Sequence, residues 1–327
     1  MEKTVERPTA SKYKNILQVI YKDYTMLIIL IAFIILGSIL SPVFLTVHNI
    51  MNIFRQNAVT GIVALGVTFV ILGGTFDMSV GSTISLTGIL AIILQESVGV
   101  IPAMLIAIAV GILIGFVNGY IISSIKGGAG DSFMITFGML TLIQGVALIT
   151  TNGNTVSGSN SPFYMFLGDG NLGAFPFSFL LFLIFALITW VILSKTKKGR
   201  EIYYMGANSE AARLSGIPIK RLRTAVYMVS GGMTAFAAIL LTGRTNGTTP
   251  IAGQNMEFDA VTAIVVGGVG ISGGSGSVIQ VVIGVLIMGL IGNILNIIGV
   301  SSQNQLVVRG IILILAVVLD NIKKKKA

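Results

Sequence analysis

Few residues in this 327-residue chain could do chemistry, and most of those are neutral. Acidic side chains border apolar runs at Asp77, Glu257 and Asp259, and the polar groups Asn57, Ser79, Ser82, Asn118 and Asn293 lie inside or at the ends of such runs. An ionisable group at membrane depth is costly and ordinarily faces protein or water. The acids have two uses open to them. Asp77 can cap a helix starting near Ser79, and Glu257 and Asp259 can start another, because carboxylates satisfy free N–H groups there; or they can line a solute path. Neutral amides and hydroxyls suit a polyhydroxylated solute better than an ion, which needs charge or a carbonyl cage. Bonding between helices is the plain alternative for each of them.

No Ser/His/Asp set, paired histidine or carboxylate dyad stands out, so a catalytic centre has no support in the sequence. His48 alone makes no metal site, and the lack of cysteine excludes disulfides and thiolate metal ligands. The run Gly268-Val-Gly270-Ile-Ser-Gly273 has dinucleotide-loop spacing but lacks the preceding strand and the later acidic residue, so it reads as tight packing or a helix break. No phosphate-cradling G-x-x-x-x-G-K-[ST] occurs, and no cofactor is called for.

The strongest local signal runs from Gly199 to Ile217. Ser209 is placed to cap a short helix through Leu214 that ends at Gly216. That stub would carry alanines and one arginine, a shape that fits a groove on a partner; the alternative is an amphipathic connector lying on lipid headgroups.

The surroundings of these residues are a bilayer. Hydrophobic residues make up 54% of the chain, charged residues 10%, and mean hydropathy is +0.92, which excludes an ordinary soluble domain of this size. Eighteen of the twenty-one Lys and Arg residues fall in four stretches, 1–25, 124–131, 194–224 and 321–327. Positive charge is retained inside the cell, so both termini and the central basic loop are expected to be cytoplasmic. The net charge of +9 then faces anionic lipid rather than nucleic acid.

About ten apolar segments are predicted, at 24–40, 57–72, 80–94, 100–122, 133–150, 175–193, 225–241, 258–269, 278–298 and 306–319. An even number returns the C-terminus to the inside, in agreement with the charge map. The expected fold is an all-α polytopic membrane bundle. It has a basic segment 1–25, a membrane domain 26–320 containing the inside loop 195–223, and a basic tail 321–327. Segments 57–72 and 258–269 are short and each runs into a glycine-rich stretch, a pattern that flags broken helices and an internal repeat around a transport path.

Three motifs carry a resemblance: Gly206-x-Asn208-x-x-Ala211-Ala212-x-x-Ser215-Gly216-Ile217; Gly74-x-x-Asp77-x-Ser79-Val80-Gly81-Ser82; and Glu257-x-Asp259-Ala260 followed by Val265-Val266-Gly267-Gly268. With Arg55-Gln56-Asn57 and the Thr-Asn-Gly at 151–153, the chain resembles the permease subunits of ribose-type sugar ABC importers. Phe76 stands in a place where that family commonly has a Gly-Ile-Asp type of sequence.

The resemblance implies a bacterial cytoplasmic membrane protein that works as a homodimer or beside a related permease. It also implies docking on a cytoplasmic ABC ATPase and a supply of solute from an extracytoplasmic sugar-binding protein. Gly206, Asn208, Glu210, Ala211, Ala212, Arg213, Ser215 and Gly216 would form the coupling segment. Asp77, Ser79 and Ser82 would hold or line the path beside the glycine break, with Asn57, Asn118 and Asn293 along it, and Glu257 and Asp259 at an outer gate. A stand-alone carrier for a small polar solute and a membrane scaffold without transport are the competing classes, and sparse intramembrane charge argues against an ion-coupled carrier.

Overall fold

A computed structural model describes residues 26–158 and 161–326, and most of these are helical. The basic segment 1–25 lies outside the described residues. The helices in order are α1 (Met26–Leu40), α2 (Val47–Leu72), α3 (Val80–Ile93), α4 (Gln95–Val98), α5 (Val100–Ser124), α6 (Ala129–Thr151) and α7 (Pro162–Asp169). They continue with α8 (Phe177–Lys195), α9 (Lys197–Ala207), α10 (Ser209–Leu214), α11 (Ile219–Thr245), α12 (Met256–Val266), α13 (Val278–Ile297) and α14 (Ser302–Lys326). Seven of them, α2, α5, α6, α8, α11, α13 and α14, are long and apolar enough to cross a membrane. The ten expected segments fall on these seven plus the shorter α1, α3 and α12.

Sheet is confined to two antiparallel pairs among the described residues. They are β1 (Val156–Ser157) with β4 (Gly247–Thr248), and β2 (Asn171–Leu172) with β3 (Phe175–Pro176). Both pairs lie at one end of the bundle and α9 and α10 at the other, joined by α11, whose 27 residues span about 40 Å at ~1.5 Å per residue.

The expectation of a short second segment at 57–72 is corrected. Helix α2 has 26 residues and starts at Val47, where the Thr46 hydroxyl accepts the Asn49 N–H at 3.3 Å. Hydropathy registers the stretch at membrane depth, whereas the cap sets where the helix begins, so the turns from His48 to Gln56, which mix polar and apolar residues, are helical too. The short elements that do pair are α3, with 14 residues, and α12, with 11.

Helices α2, α3 and α11 form the interior, and α5, α6, α8 and α14 form the rind. In α2, 83% of the most apolar window is buried; in α14, 6% is. The rind helices present Leu105, Met134, Leu187 and Ile314 outward, as a lipid-facing surface requires. Lipid gives helices little hydrophobic reason to associate, so close approach of backbones has to supply the packing. Gly111, Gly115 and Gly119 do this where α5 crosses α11: a Cβ at Gly115 would sit 2.1 Å from the Tyr227 carbonyl oxygen, and one at Gly231 would sit 2.1 Å from that of Gly111.

The two short helices start side by side and run apart. Helix α3 leaves toward the β1–β4 end, and α12 toward the α10 end. Their beginnings touch: the Gly253 N–H donates to Ser85 Oγ at 3.0 Å, and a Cβ at Gly81 would meet Glu257 Oε2 and the Gly253 carbonyl. Two positive helix ends thus converge within the bundle, each with acidic side chains beside it: Asp77 for α3, Glu257 and Asp259 for α12.

Candidate functional site

Three constellations gather the residues singled out in the sequence. The first surrounds the unwound segment before α3. Asp77 is buried, and its Oδ1 accepts the Ser79 N–H at 3.1 Å and the Ser79 hydroxyl at 2.6 Å. The Asn118 amide donates to Ser79 Oγ at 2.9 Å, the Ser230 hydroxyl to Asp77 Oδ2 at 3.3 Å, and Ser82 Oγ to the Ser79 carbonyl at 2.9 Å.

Non-helical backbone at membrane depth survives only where protein satisfies it. Here Phe76 N–H donates to Ser132 Oγ at 3.0 Å, Met78 N–H to Thr136 Oγ1 at 2.9 Å, and the Tyr227 hydroxyl donates to the Phe76 carbonyl at 2.7 Å. Phe76 therefore contributes through its backbone. Asp77, Ser79, Ser82 and Asn118 are brought together; Ser132, Thr136, Tyr227 and Ser230 complete the node and escaped sequence reasoning. The i, i+4 spacing of the Ser132 and Thr136 hydroxyls, which puts them on one face of α6, was the available signal.

The second constellation lines a cavity of about 100 Å³ among α2, α12, α13 and α14. It brings Asn57, Asp259 and Asn293 together with Gln56, Thr60, Asn296 and Arg309. Arg309 Nη1 is paired with Asp259 Oδ2 at 2.5 Å, joining α14 to α12. Asn293 and Asn49 exchange amide hydrogen bonds at 2.8 and 3.0 Å, and the Gln305 amide donates to Asn296 Oδ1 at 2.7 Å. The Asn57 side chain is buried and its Nδ2 has no hydrogen-bond partner among the described residues. Glu257 does not join this cavity; it is buried against the first turn of α3. Arg309 was legible as one of three basic residues outside the four basic stretches, within an apolar segment.

The third is the surface helix α10. Asn208 caps it, its Oδ1 accepting the N–H groups of Glu210 and Ala211 at 3.1 and 3.0 Å, so the expectation that Ser209 is the cap is corrected. The extended backbone of Asn208 puts its short amide within reach of both donors, and Ser209 is already helical. Gly216, at φ 83°, ends the helix, with Ile217 N–H returning to the Ala212 carbonyl at 3.1 Å. Arg213 Nε donates to Glu210 Oε2 at 3.0 Å on the surface, and its guanidinium holds the Glu210 carboxyl below the usual carboxylate range. Ala212 is buried, whereas Ala211, Ser215 and the apolar Leu214 and Tyr204 are exposed. A groove of about 650 Å³ runs between α9 and α10 past Tyr204, Ala207, Ala211 and Ser215.

Gly206 lies deeper and links this helix to the membrane core. A Cβ there would fall 1.8 Å from the Leu72 carbonyl oxygen and 2.7 Å from Gly274 N. Gly274 N–H itself donates to that carbonyl at 3.0 Å, and a Cβ at Gly273 would lie 2.7 Å from the Gly74 Cα. The two glycine-rich stretches of the sequence thus meet each other and the end of α9, with backbone against backbone. Gly268-Val-Gly270-Ile-Ser-Gly273 belongs to this junction and follows a helix rather than a strand.

The family described as branched-chain amino acid transport system / permease component matches residues 49–317. The ribose import permease protein of Bacillus subtilis strain 168 is 39% identical over 297 residues, covering 90% of each chain. The ribose import permease protein of Escherichia coli strain K12 is 38% identical, covering 91% of this chain and 93% of its own. The galactose/methyl galactoside import permease protein of the same strain is 36% identical, over 92% and 93%. No solved structure matches at a significant level. With a helical membrane bundle and matches along nearly its whole length, this chain belongs to the family of membrane permease components of which the bacterial sugar import permeases are members.

Proposed function

We propose that the chain is the membrane-spanning permease of an ATP-driven importer, that it carries a monosaccharide, ribose or a similar sugar, and that it works as a pair with a second permease, most simply a copy of itself. The observation that carries this reading is the 35–39% identity, over about nine-tenths of the chain, to several ribose import permeases. Three structural features support it: the capped surface helix, the polar cavity with paired charges, and the glycine junction between coupling segment and core. The chain performs no covalent chemistry; hydrolysis belongs to a separate ATPase, and an extracytoplasmic sugar-binding protein delivers the solute.

In this reading the α10 end is cytoplasmic, as are both termini, and segments 1–25, 195–223 and 321–327 are the cytoplasmic parts around the membrane domain 26–320. Gly206, Asn208, Glu210, Ala211, Ala212, Arg213, Ser215 and Gly216 form the coupling element, which seats α10 in the ATPase. Closure of the ATPase displaces α10, and the junction at Gly206 passes that displacement to the ends of α2 and α12. Asn57, Asp259 and Asn293 line the path. Asp77, Ser79, Ser82 and Asn118 hold the start of α3, and Glu257 holds α12 against it as part of the gate.

The test is uptake of labelled ribose by proteoliposomes containing the chain, its ATPase and its binding protein. Uptake should need ATP and all three components, and Asn208→Ala with Arg213→Glu should stop it while the chain stays folded. Uptake by this chain alone would instead establish a self-sufficient carrier.

A further inference from the structure

The cavity among α2, α12, α13 and α14 holds more polar chemistry than packing requires. Gln56, Asn57, Asn293 and Asn296 contribute amides, Thr60 a hydroxyl, and Asp259 and Arg309 cancel each other's charge. A wall of amide and hydroxyl groups whose two charges are paired with each other selects a neutral ligand with many hydroxyls, since an ion would find no net counter-charge. The Asn57 Nδ2 is a buried donor with no partner among the described residues, a group that costs free energy until something accepts from it.

Two glycines of α13 shape the space. A Cβ at Gly289 would lie 1.9 Å from Asn57 Nδ2, so glycine there gives the amide its room. Gly292 also lines the cavity, yet a Cβ on it would meet nothing within 4 Å. Resting on the importer reading, we propose that this cavity is a holding subsite for a single monosaccharide on its way through the permease. In it the Asn57 amide and the Asp259–Arg309 pair bind the sugar hydroxyls, and Gly292 sets the room available.

Because the chain has no cysteine, Gly292→Cys supplies a single thiol in an otherwise unreactive protein. The full chain carrying it, in lipid nanodiscs, is labelled by a small methanethiosulfonate reagent with and without excess ribose. Labelling should slow at least threefold with ribose and stay unchanged with the same concentration of potassium chloride. Asn154→Cys, in the exposed loop after α6, should label alike in both. In the complete proteoliposome system, Gly292→Val should cut ribose uptake about tenfold and Gly292→Ala less, with ATP hydrolysis retained. Asn57→Leu should also cost about tenfold, the equivalent of ~1.4 kcal/mol.

Equal labelling with and without ribose, or uptake by Gly292→Val within twofold of the unaltered chain, overturns the subsite. Loss of hydrolysis in parallel with uptake overturns it too, because filling the cavity should leave hydrolysis running. Protection without ATP-dependent uptake would keep the subsite and remove the importer reading; uptake without protection would do the reverse.

Discussion

Asp77 and Asp259 are both carboxylates beside the start of a short helix inside the bundle, and their surroundings differ in kind. Asp77 is enclosed by Ser79, Asn118 and Ser230, and the backbone around it is tied to Ser132, Thr136 and Tyr227. Asp259 faces Arg309 across the edge of a cavity, and both side chains remain partly exposed. A densely bonded network fixes one geometry, because Asp77, Ser79 and Ser230 would each lose a partner by moving. An ion pair beside open space can exchange its bonds with a ligand. Glu210 is a third variant, paired with Arg213 but wholly on the surface. Enclosure, rather than the presence of a carboxylate, separates a residue that holds the fold from one that can serve a solute or a partner.

Substitutions can break this contrast. The largest effect is expected for Asp77→Ala, which strands the Ser79 N–H and hydroxyl and the Ser230 hydroxyl. The detergent-solubilised chain should lose about 3 kcal/mol or more in thermal unfolding, whereas Asp77→Asn, whose amide oxygen still accepts from Ser79, should lose much less. Unfolding of Asp77→Ala at the unaltered temperature would erase the distinction. Thr136→Val keeps the shape but leaves the Met78 N–H unpaired, and should cost about 1–3 kcal/mol by the same measurement.

At the cavity the pattern should invert. Arg309→Gln together with Asp259→Asn removes both charges and strands neither, so stability should change by no more than about 1 kcal/mol, while ribose uptake falls about tenfold; a fall in stability without a fall in uptake would put Asp259 with Asp77. The smallest effect concerns pH. The lowered Glu210 carboxyl favours the charged, folded helix, so its support is complete above the ordinary carboxylate range and is lost as pH falls through the lowered value. Hydrogen exchange of the α10 amides, corrected for its intrinsic pH dependence, should show constant protection from about pH 6 to 8. In acid, protection should be lost at a higher pH in Arg213→Ala than in the unaltered chain.

Hydropathy was enough to locate the seven long apolar helices and the shorter ones among them, because lipid imposes length and composition on anything that crosses it. Limits set by capping were less visible: α2 starts ten residues before its apolar stretch, at a cap supplied by Thr46, and α10 is capped by Asn208 where Ser209 was equally plausible by residue type. Asn57, Asp259 and Asn293 could be picked out one by one as polar groups in apolar runs. That they share a cavity with Arg309, while Asp77 and Asn118 share a closed node, depends on how α5, α11 and α13 cross, and those crossings are set by glycines whose role appears only once their neighbours are known. The two glycine-rich stretches suggested a repeat by composition, whereas their meeting at Gly206 is a contact between distant parts of the chain.

That meeting also orders events at synthesis. The junction draws on Leu72, Gly206 and Gly274, so it cannot close until more than four-fifths of the chain has been made. Until then the last turn of α2 lacks the N–H that its Leu72 carbonyl accepts in the finished protein, and Ala207 at the end of α9 lacks its contact with Gly274. A chain truncated or stalled before Gly274 would therefore hold most of its helices yet leave the carbonyl at the end of α2 unbonded and the end of α9 open on the side that the second glycine-rich stretch covers.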